Sequence, residues 1–172
     1  VAPSTPYDAK GLLKQAIRDD SPVLFFEHKL LYGSKGSVRK ESGSLDTSMF
    51  VPKEEYTIPI GKADIKKTGS DITIVSLLMS VHWSLAAAQI LENEGIQMEV
   101  IDLRSLLPLD KETIVESLMK TGRLMIVEED TKTLGWGAEV AAFVCEEASD
   151  FLRSPIKRIA AKDVPIPFNP DL

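Results

Sequence analysis

The feature of this 172-residue chain that most restricts its fold is a regular alternation of apolar runs that begins at Asp71. "ITIVSLL" and "MEVIDL" are apolar runs of the length typical of buried strands, and the helical pattern "HWSLAAAQILENEG" lies between them. Such a strand–helix–strand unit predicts two parallel strands joined by a right-handed crossover. The helical spacing places five apolar residues on one face of this helix: Trp83, Ala86, Ala87, Ile90 and Leu91.

The same alternation continues towards the carboxyl end. "PLDKETIVESLMKTG" predicts a helix with Asp110 as its N-cap and Thr113 at the third position, and the strand "RLMIVEE" follows. "GAEVAAFVCEEASDFL" then predicts a third helix and "IKRIAA" a final strand. Four strands and three helices in this order predict an α/β domain over about residues 60–165.

A separate helix–strand unit precedes that domain. Thr5, Pro6 and Asp8 form a helix-start pattern, and the apolar run "PVLFFE" predicts a buried strand after it. Glycine, serine and proline interrupt residues 31–69, which predicts a linker or a long loop, with one or two edge strands in "YTIPIGKADIKKTG". The 34–51 stretch is predicted to be a long loop. Because Val1 is not an initiator methionine and this unit lacks its own sheet, we expect the chain to be the middle of a larger protein.

Composition excludes several classes of protein. No apolar run approaches the ~20 residues that cross a bilayer, and a formal net charge of -6 disfavours nucleic acid as a partner. The pair Lys66-Lys67 is interpreted as solvated surface. The single cysteine, Cys145, excludes an internal disulfide framework, and we expect it to be inert and buried in the core, on an apolar helix face. These features favour a cytoplasmic protein, and an organellar one remains open because the natural N-terminus is missing.

Two histidines and three acidic residues are candidates for chemistry. His28 stands beside Glu27, a pair that can act as base and orienting partner, but a surface or interface position is favoured for it because it has no nucleophile or metal-ligand companion. A structural role is favoured for His82 at a helix start. Three acids follow a strand at the sheet edge where open parallel sheets place ligands: Glu128, Glu129 and Asp130. They could bind a cation or shift one another's pKa.

The stretch after these acids, "TKTLGWGAEV", is a glycine-bearing loop that opens a helix. Such a loop can hold a phosphate, although it has neither of the common nucleotide-binding patterns, and packing at an interface is favoured for Trp136. Arg104 and Asp102 are predicted to form a structural ion pair at a turn. An acidic face near the end of the third helix could steer a basic docking domain: Glu146, Glu147 and Asp150.

Four long motifs, taken in order, carry a resemblance to a known family. They are "APSTPYDAKGLLKQAIRDDSPVLFFEHKLLY", "YTIPIGKADIKKTGSDITIVS", "EVIDLRSLLPLDKETIVESLMKTGRLMIVEE" and "GWGAEVAA". Together they span nearly the whole chain. The sequence resembles the beta subunit of thiamine-diphosphate-dependent 2-oxo acid dehydrogenases, which include the pyruvate, branched-chain 2-oxo acid and acetoin dehydrogenases of the transketolase-like group.

The resemblance implies an α/β fold with a transketolase C-terminal-like, mostly parallel sheet and flanking helices, after a helix–strand remnant of a pyrimidine-binding domain. Residues 1–32 would be that remnant, residues 33–69 the linker and edge strands, and residues 70–172 the C-terminal domain. The family's catalytic glutamate and histidine would lie before Val1. We therefore expect no catalytic and no cofactor-binding residue here, with thiamine diphosphate and magnesium bound mainly outside this chain.

The resemblance also implies a structural potassium site and several partners. The matching backbone carbonyls belong to Ala16, Asp19 and Ser21 in "AIRDDSP", although some relatives carry asparagine in place of Ser21. A turn whose carbonyls are satisfied by water is the alternative. The partners would be an alpha subunit, a second beta subunit in a heterotetramer of two alpha and two beta, and a lipoyl-bearing acyltransferase core, without nucleic acid or membrane. A noncatalytic interaction module, or another transketolase-like enzyme, is the alternative reading.

Overall fold

The computed structural model describes residues 1–32 and 47–166, which form one five-stranded sheet with helices on both faces. The strands are β1 (Asp64–Lys67), β2 (Ile72–Ser76), β3 (Met98–Asp102), β4 (Leu124–Thr131) and β5 (Lys157–Ala161), in the spatial order β1-β3-β2-β4-β5. Strands β2 to β5 pair in parallel, and β1 pairs antiparallel with β3 at one edge. The predicted α/β fold is confirmed, with β1 falling in the predicted edge-strand stretch.

Four α-helices accompany this sheet: α1 (Pro6–Arg18), α2 (Met79–Glu92), α3 (Lys111–Thr121) and α4 (Gly137–Glu147). Short 3-10 turns occupy Lys29–Leu31 and Ser149–Phe151. The predicted caps are confirmed, since the Thr5 hydroxyl accepts from the Asp8 amide at 3.1 Å and the Asp110 carboxylate accepts from the Thr113 amide at 3.3 Å. Helix α2 begins three residues before the predicted start at His82.

The side chains of each strand alternate between two buried faces. Ile74 and Val100 pack against Ala88 of α2 on one face, while the neighbouring Val75 and Ile101 belong to the core that includes residues of α3 and α4 on the other. Burial on both faces explains why the strands read as continuous apolar runs. Since β3 lies on one side of β2 and β4 on the other, the carboxyl ends of β2 and β4 form the switch point of the sheet.

The predicted strand "PVLFFE" is wrong. Residues 22–27 are extended but belong to no strand, and their backbone bonds run to Val1, whose carbonyl accepts from the Phe26 amide at 2.9 Å. Leu24 is 74% exposed. An apolar extended run becomes a buried strand only where neighbouring strands cover it, and the five strands of the described residues do not pair with it.

The apolar face predicted for α2 is not the fully buried face of this helix. Ile90 is 64% exposed and Trp83 is largely exposed, whereas Val81 and Ala88 are fully buried. This helix is apolar on most of its circumference, so the helical period does not decide which face meets the sheet. The face that contains Trp83 and Ile90 is therefore an exposed apolar surface of the described residues.

Gly95 supplies a test of backbone geometry after α2. Its φ is +83°, and an added Cβ would meet nothing within 4 Å. Alanine there would therefore be destabilising only through the strain of the left-handed backbone conformation. We expect Gly95→Ala to lower the free energy of unfolding by about 1 kcal/mol, measured by urea denaturation. Gly95→Asn is the matched control and should cost clearly less, because asparagine tolerates this region. Equal losses in the two variants would contradict the conformational explanation.

The loop predicted at 34–51 lies mostly outside the described residues, of which 47–51 form its end. Within the described residues, no helix has the length and apolar character needed to cross a membrane.

Candidate functional site

The carboxyl edge of the sheet is where open α/β sheets usually bind ligands, and here the N-terminal segment (residues 1–32) contacts it through charged side chains. Two contacts carry this arrangement. The first, which we call the aspartate cluster, consists of Asp8, Asp64, Lys66, Asp102 and Arg104. The second is the pair formed by His28 and Glu129.

Lys66 lies at the centre of the aspartate cluster. Its Nζ is 2.7 Å from Asp8 Oδ2, 2.7 Å from Asp64 Oδ2 and 3.7 Å from Asp102 Oδ2. The side chain is 9% exposed, and those of Asp8 and Asp102 are fully buried. The prediction of Lys66 as solvated surface is therefore wrong, because the antiparallel edge strand turns it towards α1.

Arg104 is the second cation of the cluster. Its guanidinium lies 2.9 Å from Asp64 Oδ2 and also pairs with Asp8 Oδ1, while its backbone amide donates to Asp102 Oδ1 at 3.0 Å. The predicted ion pair with Asp102 is thus corrected: the turn brings the backbone of Arg104, not its side chain, to Asp102. The two cations are needed because β1 and β3 place Asp64 directly opposite Asp102, and like charges so placed repel.

Burial and charge act in opposite directions on these groups. Burial raises the pKa of Asp102 to about 6, against the lowering effect of Lys66 and of the Ser4 hydroxyl that donates to it. Burial also raises the pKa of Asp8, but Lys66 and the Thr5 hydroxyl outweigh it, and the net pKa is lowered. For Lys66, burial lowers the pKa while Asp102 and Asp8 raise it, with a net increase.

His82 joins the same region from α2. Its Nε2 lies 2.7 Å from the Ser4 carbonyl, and burial lowers its pKa, so the imidazole is neutral and donates this bond. Ser4 is thereby held twice, by its carbonyl to α2 and by its hydroxyl to Asp102 at the end of β3. His82 is a structural residue, in agreement with the favoured prediction.

His28 and Glu129 form the second contact, at the switch point of the sheet. His28 Nε2 is 2.6 Å from Glu129 Oε2, and the amides of Met79 and Ser80 at the start of α2 also donate to this carboxylate. Burial raises the pKa of Glu129. Because His28 Nδ1 accepts from the Leu30 amide at 3.2 Å, both ring nitrogens are engaged. This geometry favours a structural role over general-base catalysis.

The glycine-bearing loop is filled by the protein's own carboxylate. Glu128 Oε2 accepts from the Gly137 amide at the start of α4 at 2.9 Å, and Oε1 accepts from Arg158 Nε at 3.0 Å. An added Cβ at Gly135 or Gly137 would lie 2.6 or 2.8 Å from this carboxylate. The predicted phosphate role of the loop is therefore not favoured, since Glu128 occupies the position that an anion would take.

The residues implied in cation binding lie at the end of α1. Ala16 belongs to its last turn and Asp19 is its C-cap, with the Asp19 side chain accepting from the Ser21 amide at 2.9 Å. Outside helices and strands, no backbone hydrogen bond among the described residues ends on the carbonyls of Ala16, Asp19 or Ser21. Free carbonyls at a helix end suit a hard cation, so the residues fit such an ion.

Three further sequence predictions have a place in the structure. Cys145 is exposed, so its expected burial in the core is wrong; the buried face of α4 passes through Val140 and Val144 instead. Trp136 is half-buried against the core. The acidic residues predicted near the end of α4 are exposed: Glu146, Glu147 and Asp150.

Sequence reasoning missed the aspartate cluster. The hydrogen bond that links it to Ser4 joins residues that are 98 positions apart along the chain. Two signals pointed to it: an aspartate that ends an apolar strand run, and a lysine in an edge strand. Within the described residues, no group of three or more histidine, cysteine or acidic side chains could hold a metal ion.

Comparisons with known proteins agree with this architecture. The family described as transketolase, C-terminal domain matches residues 61–172. The chain is 49% identical over its whole length to the 2-oxoisovalerate dehydrogenase subunit beta of Bacillus subtilis and covers 49% of that protein. It is 48% identical over 98% of its length to the pyruvate dehydrogenase E1 component subunit beta of the same organism, and covers 48% of it.

Two more relatives extend the comparison. The acetoin:2,6-dichlorophenolindophenol oxidoreductase subunit beta of Bacillus subtilis is 46% identical over the whole chain, which covers 46% of it. A solved structure titled "Split gene transketolase, inactive beta4 tetramer" aligns with a TM-score of 0.59 and 36% identity, over 67% of this chain and 37% of that one. The chain thus spans about half the length of the curated relatives it matches, and it belongs to the transketolase C-terminal domain family.

Proposed function

We propose that this chain is the C-terminal part of the beta subunit of a thiamine-diphosphate-dependent 2-oxo acid dehydrogenase. The activity would be oxidative decarboxylation of pyruvate or a related 2-oxo acid, or acetoin cleavage, with acyl transfer to lipoyl groups. One observation carries the proposal: 46–49% identity over nearly the whole chain to three beta subunits whose names state these activities. Residues 1–32 would be the remnant of the pyrimidine-binding domain, 33–69 the linker and 70–172 the C-terminal domain.

The geometry supports a structural role for this chain in that activity. The edge of the sheet that could receive a ligand is occupied by the N-terminal segment through Asp8 and His28, and the start of α4 is occupied by Glu128. Among the described residues, the carboxylates of Glu128 and Glu129 accept the helix-start amides at this edge that a diphosphate would otherwise use. Catalysis would therefore depend on thiamine diphosphate and magnesium held elsewhere in the full enzyme, and this chain would position subunits around them.

Exposed apolar residues indicate where those subunits meet. Leu24 and Phe26 in the unpaired extended run, and Trp83 and Ile90 on α2, are exposed in the described residues. Apolar surface of this kind marks protein contacts. We assign it to the rest of the beta subunit, to the alpha subunit and to the second beta subunit of a heterotetramer, with the acidic end of α4 facing a lipoyl-bearing acyltransferase core. A cytoplasmic location is expected, although relatives include a mitochondrial protein.

Reconstitution tests the proposal. The complete beta subunit would be purified with its alpha partner and assayed for dichlorophenolindophenol reduction with pyruvate, 2-oxoisovalerate or acetoin, with and without thiamine diphosphate and magnesium. We expect dye reduction with at least one substrate, dependent on the cofactor, and none from the 172-residue chain alone. An assembly that binds no thiamine diphosphate by calorimetry would reject the enzyme reading and leave the noncatalytic interaction module.

A second assay separates the other transketolase-like enzymes. The same assembly would be tested for condensation of pyruvate with glyceraldehyde 3-phosphate, and for pyruvate-dependent reduction of ferredoxin. Activity in either assay, without dye reduction by the dehydrogenase substrates, would assign the chain to a deoxyxylulose-phosphate synthase or an oxo acid:ferredoxin oxidoreductase. The motif "GKADIKKTGSDITIVS" supports the dehydrogenase instead.

The potassium site is proposed on the carbonyls of Ala16, Asp19 and Ser21, which the described residues leave without backbone donors. Binding would stabilise the folded chain, so the midpoint of thermal unfolding should rise by a few degrees in potassium chloride relative to tetramethylammonium chloride at equal ionic strength. Asp19→Pro, which keeps the carbonyl but removes the side chain that orders the turn, should weaken this difference. Identical midpoints in the two salts would remove the proposed ion.

A further inference from the structure

The aspartate cluster contains more negative than positive charge. Asp8, Asp64 and Asp102 face two cations, Lys66 and Arg104. These groups come from α1, β1 and the end of β3, and the remaining titratable group is His82 of α2, which is uncharged at neutral pH because burial lowers its pKa from 6.5. From β2, Ser76 contributes a hydroxyl opposite Asp102. The closed cluster therefore carries one uncompensated carboxylate, which is costly away from water.

The excess charge falls on Asp102. Asp8 has Lys66 at 2.7 Å and Arg104 beside its other oxygen, and Asp64 has both cations within 2.9 Å and is partly open to water. Asp102 is fully buried, and its nearest cation is 3.7 Å away. One proton on Asp102 would make the cluster neutral.

Asp102 is also where the N-terminal segment is fastened to the sheet. The Ser4 hydroxyl donates to Asp102 Oδ2, and Ser4 immediately precedes Thr5, the N-cap of α1. The Ser4 carbonyl is held by His82. A change of charge on Asp102 therefore acts directly on the contact that docks the start of α1.

We propose that the aspartate cluster is a proton-controlled latch, in which proton uptake by Asp102 holds α1 tightly on the sheet and proton release loosens it. The direction follows from the pKa, which burial raises from 3.8 to about 6 in the docked state. A group with a raised pKa contributes stability that is complete below the undocked value of 3.8 and is lost as the pH rises through about 6. The latch is tightest in mild acid and loosest above neutrality.

Hydrogen exchange of the 172-residue chain, analysed by mass spectrometry and corrected for intrinsic exchange rates, tests this latch. From the two pKa values of Asp102, the opening equilibrium of α1 in the unsubstituted chain, divided by that in Asp102→Asn, should increase about tenfold between pH 5.0 and 7.5, with less change in α3. The ratio is used because burial also lowers the pKa of His82, which favours opening in acid in both proteins. The matched control is Asp71→Asn, at the opposite end of β2, where the side chain accepts from the Gln97 amide; it should keep the tenfold change.

A second measurement needs no variant. Carbon-13 resonance of the aspartate carboxyl carbons in the unsubstituted chain should show one aspartate with a midpoint near pH 6. A ratio of α1 opening equilibria that stays constant between pH 5.0 and 7.5, or aspartates that all titrate below pH 5, would each overturn the latch. If Asp102→Asn does not fold, the carboxyl titration of the unsubstituted chain decides the matter.

Discussion

Replacing Lys66 by methionine is expected to lower the free energy of unfolding by about 3–5 kcal/mol at neutral pH. Methionine keeps most of the length and apolar volume of lysine, so the change removes mainly the charge. The fully buried carboxylates of Asp8 and Asp102 would then face Arg104 alone as a cation. Because a buried carboxylate without a partner is far more costly than an exposed one, the loss should be large. Urea denaturation followed by circular dichroism measures it.

Lys67→Met is the matched control, because it makes the same change at the next residue. Lys67 pairs with Glu92 at 2.9 Å on the surface, where water screens both charges. We expect a loss below about 1 kcal/mol for this variant. Similar losses for the two lysines would show that the cluster is not a buried electrostatic contact.

A double variant separates charge from packing at Lys66. Adding Asp102→Asn to Lys66→Met removes one of the uncompensated carboxylates and should restore part of the lost stability. If the loss came from poor packing of methionine, the second substitution would restore nothing. The comparison at pH 5.5 and 7.5 adds a second criterion, since Asp102 is mostly protonated at the lower pH.

The parts of the fold that could be predicted from sequence are those determined by near neighbours. Thr5 and Asp110 cap helices through bonds that span three residues, so the cap pattern is sufficient to find them. The parallel strands could be predicted because each is buried on both faces, which leaves a continuous apolar run between turn residues.

The errors in predicting the fold concern burial, which depends on residues that are distant in sequence. The run at 22–27 has the composition of a buried strand, but its burial requires neighbours that the described residues do not supply. Cys145 was assigned to the core because apolar residues surround it in sequence, and the apolar face predicted for α2 includes Trp83 and Ile90, which are exposed. In each case, the local composition predicted a helix or an extended segment, but it could not predict which side of that segment is buried.

The candidate site was the least predictable part of the chain. Lys66 and Lys67 look alike in sequence, yet one is enclosed by three aspartates and the other lies on the surface. The difference arises from a shift in the register of β1 between Ile65 and Lys67 and from a bond partner 58 residues away in α1. Glu128 and Glu129 differ in the same way, since each turns to the start of a different helix.

Glu128→Gln is expected to cost about 3 kcal/mol of stability and to loosen the start of α4. The carboxylate of Glu128 is fully buried; it neutralises Arg158 and accepts from the Gly137 amide. Glutamine has one acceptor oxygen, so either Arg158 loses its bonds or the Gly137 amide faces an NH2 group that cannot accept. Denaturation in urea measures the loss, and hydrogen exchange of residues 137–147 measures the loosening.

Glu147→Gln provides the control for this prediction, because Glu147 pairs with Lys111 at 2.6 Å between two exposed side chains. The same loss of charge there should change stability by less than about 0.5 kcal/mol. A phosphate titration of Glu128→Gln adds a test of the glycine-bearing loop: with the carboxylate gone, the amides at the start of α4 and Arg158 become available to an anion. Stabilisation of this variant by phosphate, without stabilisation of the unsubstituted chain, would show that Glu128 fills an anion position in the folded protein.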